Sequence, residues 1–301
     1  MKVSVSLWII AAVITLAAAA YQRRTGPTHP AEGTVTLGGR TIAYRFERAH
    51  PGAGDHRVAV RAPDAAVRGS MEFMLLGDGE WTSVPMRREG EWLVAELPHQ
   101  PPLGKIAYQV TLAREGETAT LPAAGPAVIR FRGDVPPWLL VPHILFMFGA
   151  MLFSTRAGLE AFRARPALRG ITDTALVALF IGGVVLGAIV LKHAFGLWWT
   201  GFPFGDDPTD NKTTIALLGW IAAAWAVRRV ANPKPWVIGA AVLMLAVFSI
   251  PHSVSVADLT GKARPLPAVT ATPAATAPQE TPADAATTDP AAAPAETPPA
   301  R

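Results

Sequence analysis

Three histidines stand at the edges of apolar stretches in the second half of the chain: His143 in VPHILF, His193 in LKHAFG and His252 in SIPHS. Between the last two runs the loop FGLWWTGFPFGDDPTDNKTT, which sets Phe195, Trp198, Trp199, Phe202 and Phe204 ahead of Asp206, Asp207 and Asp210. Three imidazoles with a carboxylate suit zinc, two imidazoles from facing helices suit haem iron, and imidazole with thioether suits copper. Thioethers are at hand, because His143, Met147 and Met151 recur every four residues and share one helix face. The candidate metal ligands are therefore His143, His193, His252, Asp206, Asp207 and Asp210, with His143 and His193 the candidate pair for a haem or other cofactor. No catalytic residue is assigned. Ionisable groups at membrane depth are costly and face a cavity or a partner, which makes these residues the default site. The structural alternative is that the histidines bond lipid headgroups while Met147 and Met151 fill a helix bundle.

The elements that must position this set are apolar. Half of the 301 residues are hydrophobic, and they cluster in five uncharged stretches, 3–20, 138–153, 174–191, 213–227 and 236–250. Several are shorter than the roughly 20 residues needed to cross a hydrocarbon core, so flanking aromatic and snorkelling side chains must complete them. Buried helices of a large soluble protein are the alternative. Charge between the stretches favours a membrane: Arg156, Arg163, Arg165 and Arg169 outweigh Glu160 and Asp173 in one connection, and Arg228, Arg229 and Lys234 stand without an acid in another. The positive-inside rule makes both connections cytoplasmic and puts the Trp-rich loop outside. The net charge of +4 and the pI near 9.7 owe most to these two connections, so they imply no nucleic-acid partner.

The start of the chain, MKVSVSLWIIAAVITLAAAAYQRR, has a short basic head, an apolar stretch and a small-residue run. Residues 1–21 are thus a cleaved signal peptide or a retained anchor, and either one exports the segment after it. Residues 30–133 alternate apolar and polar positions in short runs such as TVTLGG, HRVAVRAP, EWLVAELP and KIAYQVTLA, punctuated by Gly, Pro and Asp. That spacing predicts an antiparallel β-sandwich. Without cysteine no disulfide braces it, and a domain of about 100 residues can rely on its core alone. Residues 264–301, rich in Pro, Ala and Thr, are expected to be disordered and to lie outside. The fold class expected is mixed: an exported sandwich followed by a membrane bundle of four helices over residues 136–253, preceded by the signal or anchor helix.

Within the bundle, Gly183 and Gly187 on the third helix, and Gly219 and Ala223 on the fourth, have the small-residue spacing that lets helix backbones approach. Pro142 is expected to bend the second helix beside His143. In the loop, the aromatics form a girdle at headgroup level, Pro203 and Gly205 turn the chain, and Thr209 or Asp210 caps the fourth helix. The acid run is not a calcium loop, because Lys212 takes the glycine position and Leu218 that of the terminal glutamate. HExxH, GxSxG, GxxxxGK and GxGxxG are all missing, and without cysteine the chain holds neither a cysteine-ligated cluster nor a covalently attached haem.

The stretches PHILFMFGAMLFSTRAGLEA, LKHAFGLWWTGFPFGDDPTDNKT and IPHS resemble an uncharacterised family of bacterial inner-membrane proteins that carry a loop of the TGFPFGDDPTDNKT type. The likeness spans about residues 136–253. It implies that His143, His193 with its loop, and His252 belong together, and it brings no reaction with it. The stretch from GDGEWTSVPM to KIAYQVTL resembles strand patterns of immunoglobulin-like domains, which implies a fold and no activity. The expected function is a multi-pass protein of the bacterial inner membrane whose outer face binds a metal or haem (iron, copper or zinc), as an electron-transfer or cofactor-handling accessory. The alternative from another class is a non-catalytic scaffold whose residues 30–133 bind a protein partner. Solute transport is disfavoured by the scarcity of charge within the apolar stretches.

Overall fold

The computed structural model describes residues 2–76, 79–205 and 207–251, with side chains from residue 4 onward. Helix α1 spans Lys2–Thr25. Eleven strands come next among the described residues: β1 Ala31–Leu37, β2 Arg40–Phe46, β3 Ala49–Pro51, β4 His56–Arg61, β5 Arg68–Leu75, β6 Thr82–Pro85, β7 Arg87–Glu89, β8 Trp92–Leu97, β9 Lys105–Arg114, β10 Glu117–Leu121 and β11 Ala127–Arg132. The helices of the second half are α2 Pro137–Glu160, α3 Leu168–Leu179, α4 Gly187–Phe195, α5 Pro208–Arg229 and α6 Lys234–Ser249, with a π-helical turn, Phe180–Leu186, joining α3 to α4.

The order of elements is the mixed one expected: a helix, a sheet-rich region, then helices. Strands β3-β11-β9-β5-β6 form the largest sheet, with β10 also on β9, and β4-β8-β7 form a second, while β1 and β2 make a hairpin of their own. All pairs are antiparallel except β11 with β3. The hairpin turns on Gly38 and Gly39, both at positive φ, as a two-residue connection requires. Alternation does the rest. Val58 and Val60 of β4 point inward, as do Leu93 and Leu97 of β8, and they meet Met71, Ile106, Val110 and Leu112 of the large sheet in one core. Leu37, Ile42 and Phe46 of the hairpin close it.

Among the described residues, three helical segments are long and apolar enough to cross a membrane: Ser4–Thr25, Pro137–Glu160 and Leu168–Phe195, the last being α3, the π turn and α4 in sequence. This corrects the expectation of four such helices after the first. Helix α6 has 16 residues, and α5, though 22 residues long, carries Asp210 and Lys212 in its first turns and Arg228 and Arg229 in its last. Both nevertheless belong to the bundle, whose core holds Trp220, Ala216 and Ala223 of α5 with Val237, Met244 and Phe248 of α6.

Two local expectations change as well. Helix α2 passes through Pro142 without interruption and continues to Glu160, so Arg156 and Glu160 lie on the helix instead of in a connection. Both are buried. The small residues serve several partners. A methyl group on Gly183 would meet Thr213 of α5, one on Gly219 would meet Leu243 of α6, and one on Gly158 would meet Ala241. Only the first of these joins the third and fourth apolar stretches.

Candidate functional site

The Trp-rich loop is built largely from its own polar side chains. Asp207 is the N-cap of α5, its carboxylate accepting from the Thr209 N–H at 2.7 Å. This cap falls ahead of the expected Thr209 or Asp210, because Pro208 fills the first helical position, where no donor is needed and its fixed φ is helical. Asp210 reaches back across the loop and accepts from both the N–H (2.6 Å) and the hydroxyl (2.8 Å) of Thr200. Asn211 accepts from the Phe202 N–H at 2.7 Å, and the Trp199 indole donates to the Phe202 carbonyl at 3.2 Å. Gly201 has Asp210 and Asn211 against it so closely that a methyl group would not fit. The acids therefore fold the loop, and the aromatics are left outside: Phe202 is 77% exposed and Phe204 81%.

A charge-assisted bond to two donors makes Asp210 the chief support of this loop. Asp210→Ala is expected to cost about 1.5–3 kcal/mol locally, read as at least a tenfold rise in hydrogen exchange at the Thr200 amide. Unchanged exchange there would show that the loop is held by other contacts.

The histidines are placed separately. His143 lies between α2 and the π turn, its Nδ1 2.9 Å from the Gly182 carbonyl. A carbonyl only accepts, so Nδ1 carries a proton, and in the neutral ring Nε2 keeps a lone pair. Met147, one turn on, packs on Gly182. His193 is exposed near the end of α4, and its backbone is part of the joint with the sheets: the Gly133 N–H donates to the Ala194 carbonyl at 2.8 Å, and Gly133 approaches the His193 carbonyl too closely for any side chain. Arg130 of β11 lies over the Phe195 ring at 5.7 Å. His252 and Asp206 lie outside the described residues. Among the described residues no group of three His, Cys, Asp or Glu side chains is arranged to hold a metal ion. Asp207 and Asp210 each use one carboxylate oxygen within the loop, and the Nε2 of a neutral His143 keeps a lone pair that could serve a metal.

Polar groups with no sign in the apolar pattern close the two ends of the bundle. At one end the Arg156 guanidinium meets Glu160 at 2.7 Å and lies over the Trp8 ring of α1 at 5.4 Å. Glu160 also takes Arg163 at 2.8 Å and the Ala167 N–H at 3.2 Å. Nearby in sequence, the buried hydroxyls of Ser154 and Thr155 have no hydrogen-bond partner among the described residues. At the other end Lys212, 3% exposed, donates to the Ile250 carbonyl at 2.7 Å, and Gln22 of α1 donates to the Phe248 carbonyl at 2.9 Å. Both cap the last turn of α6, whose orphan carbonyls favour a cation. The i, i+4 spacing of Arg156 and Glu160 was a legible signal; a link between residues 22 and 248 was not.

No protein-family model and no curated protein sequence matches this chain, so its function rests on the geometry alone.

Proposed function

We propose that the protein is a non-catalytic scaffold of the bacterial inner membrane, in which the helices anchor the sheet-rich region on the outer side and that region binds a protein partner. The observation that carries this is the joint at Gly133. A backbone bond to Ala194, a glycine pressed on the His193 carbonyl and Arg130 over Phe195 fix the sheets to the bundle, which is what a platform needs and a tethered domain does not. In this reading the orientation is supported by side-chain chemistry. Trp138, Trp198, Phe202 and Phe204 are exposed at the end of the bundle that bears the sheets, as an interfacial aromatic belt would be, while Arg163, Arg165, Arg169 and Arg229 gather at the opposite end. Lipid is then a partner along the bundle, and nucleic acid is not.

The sheet-rich region is an immunoglobulin-like sandwich in this reading, supported by two sheets that share one core. Helix α1 is a retained anchor, supported by Trp8 edge-on to Phe153 and by Gln22 at the end of α6. Deleting residues 30–133 while keeping the helices is expected to abolish co-purification of partners from native membranes, with insertion unaffected. Recovery of the same partners by the truncated protein would overturn the scaffold reading.

A metal- or haem-handling role remains the second reading, favoured by one observation: the bond from His143 Nδ1 to Gly182 leaves Nε2 available at a π turn, a kind of distortion frequent at functional sites. Iron, copper or zinc bound stoichiometrically and lost in His143→Ala would favour it over the scaffold.

A further inference from the structure

A second set of imidazoles lies in the sheet-rich region, far in sequence from those of the helices. The connection from β3 to β4, HPGAGDH, turns on Gly52 and Gly54, both at positive φ, and brings His50 and His56 face to edge. Their Nδ1 atoms are 3.2 Å apart. His50 Nε2 lies 3.2 Å from the Gly54 carbonyl, and His99 Nδ1 reaches the same oxygen at 3.1 Å. The His99 N–H in turn donates to Asp55 at 2.8 Å, and the rings of His50 and His99 both pack on Phe131. The pair is therefore held from three sides.

Protonation states follow from the acceptor. The Gly54 oxygen cannot donate, so in the neutral pair His50 carries its proton on Nε2 and turns a lone pair on Nδ1 towards His56. A ligand imidazole fixed by its other N–H to a backbone carbonyl is the usual outer-shell arrangement of a metal site. Distance agrees: two nitrogens each about 2.0–2.1 Å from a tetrahedral cation stand about 3.3–3.4 Å apart.

We propose that His50 and His56 are a binding site for a first-row divalent transition-metal cation, of which zinc is the reference case, ligated by the two Nδ1 atoms. His56 shifts its proton from Nδ1 to Nε2 on binding, so the neutral pair loses none. Among the described residues no third protein donor joins them, and water completes the coordination. The site belongs to the sheets and is independent of the scaffold reading and of His143.

The test is zinc titration by calorimetry of the full-length protein in detergent, without a polyhistidine tag, alongside His50→Gln, His56→Gln and His143→Ala. Binding of one equivalent, weakened at least tenfold in each of the first two variants and unchanged in the third, is the expected result. Glutamine keeps a polar side chain at each position, and circular dichroism reports whether the sheets persist. Failure of the unaltered protein to bind zinc, equal affinity in the His50 and His56 variants, or loss in His143→Ala alone would each overturn the assignment.

Discussion

Replacing Glu160 by alanine is expected to cost the helix bundle about 3–5 kcal/mol, the loss incurred when one partner of a buried ion pair is removed. The reason is the asymmetry of its two arginines. The Arg163 side chain is 41% exposed and can turn to water, whereas that of Arg156 is 5% exposed and would keep an uncompensated buried charge beside Trp8. Unfolding of the purified protein in mixed micelles reads the effect. Arg163→Ala, as the control, should change stability by less than about 1 kcal/mol. Replacing both Arg156 and Glu160 with apolar residues should recover most of the loss, since a hydrophobic pair of similar volume is often as stable as a buried ion pair. A Glu160→Ala protein as stable as its parent would mean that water reaches Arg156.

Trp220→Ala is the other large effect, expected at about 3–5 kcal/mol from lost contacts and the cavity left behind. Trp220 is fully buried in α5, and its indole N–H points at the Met244 sulfur of α6, 3.2 Å away. Neither α5 nor α6 qualifies as a membrane-crossing helix on its own, so packing must supply what hydropathy does not. The variant should therefore loosen this pair ahead of α2 and α3. Cysteine accessibility at engineered positions on α6 would rise while positions on α2 stayed protected. Equal loosening throughout would show that the bundle unfolds as one piece.

The succession of helix, sheets and helices was legible in residues 3–20, in the period-two runs of residues 30–133 and in the apolar stretches after them, because burial imposes those periods directly. Helix ends were less so. Arg156 and Glu160 read as a connection because charge normally marks a membrane boundary, yet their mutual pairing lets α2 carry them inside. The acids of the loop read as ligands for the same reason that they fold it: a carboxylate accepts from an amide or binds a cation with the same lone pairs, and only geometry separates the uses. Asp207 and Asp210 took the amides. The approach of His50 to His56 needed two glycines at positive φ and the register of β3 on β11, none of which a linear pattern displays.

The joint between Gly133 and the end of α4 sets a height. Because the bond runs from backbone to backbone and admits no side chain between its partners, it opposes a swing of the sheets on the two prolines just beyond it. In the scaffold reading, any surface they present would then stay at one distance from the lipid and at one tilt. A partner embedded in the same bilayer would then meet that surface already in register, searching three degrees of freedom instead of six, so that an interface too small to hold two freely diffusing proteins could still hold these two.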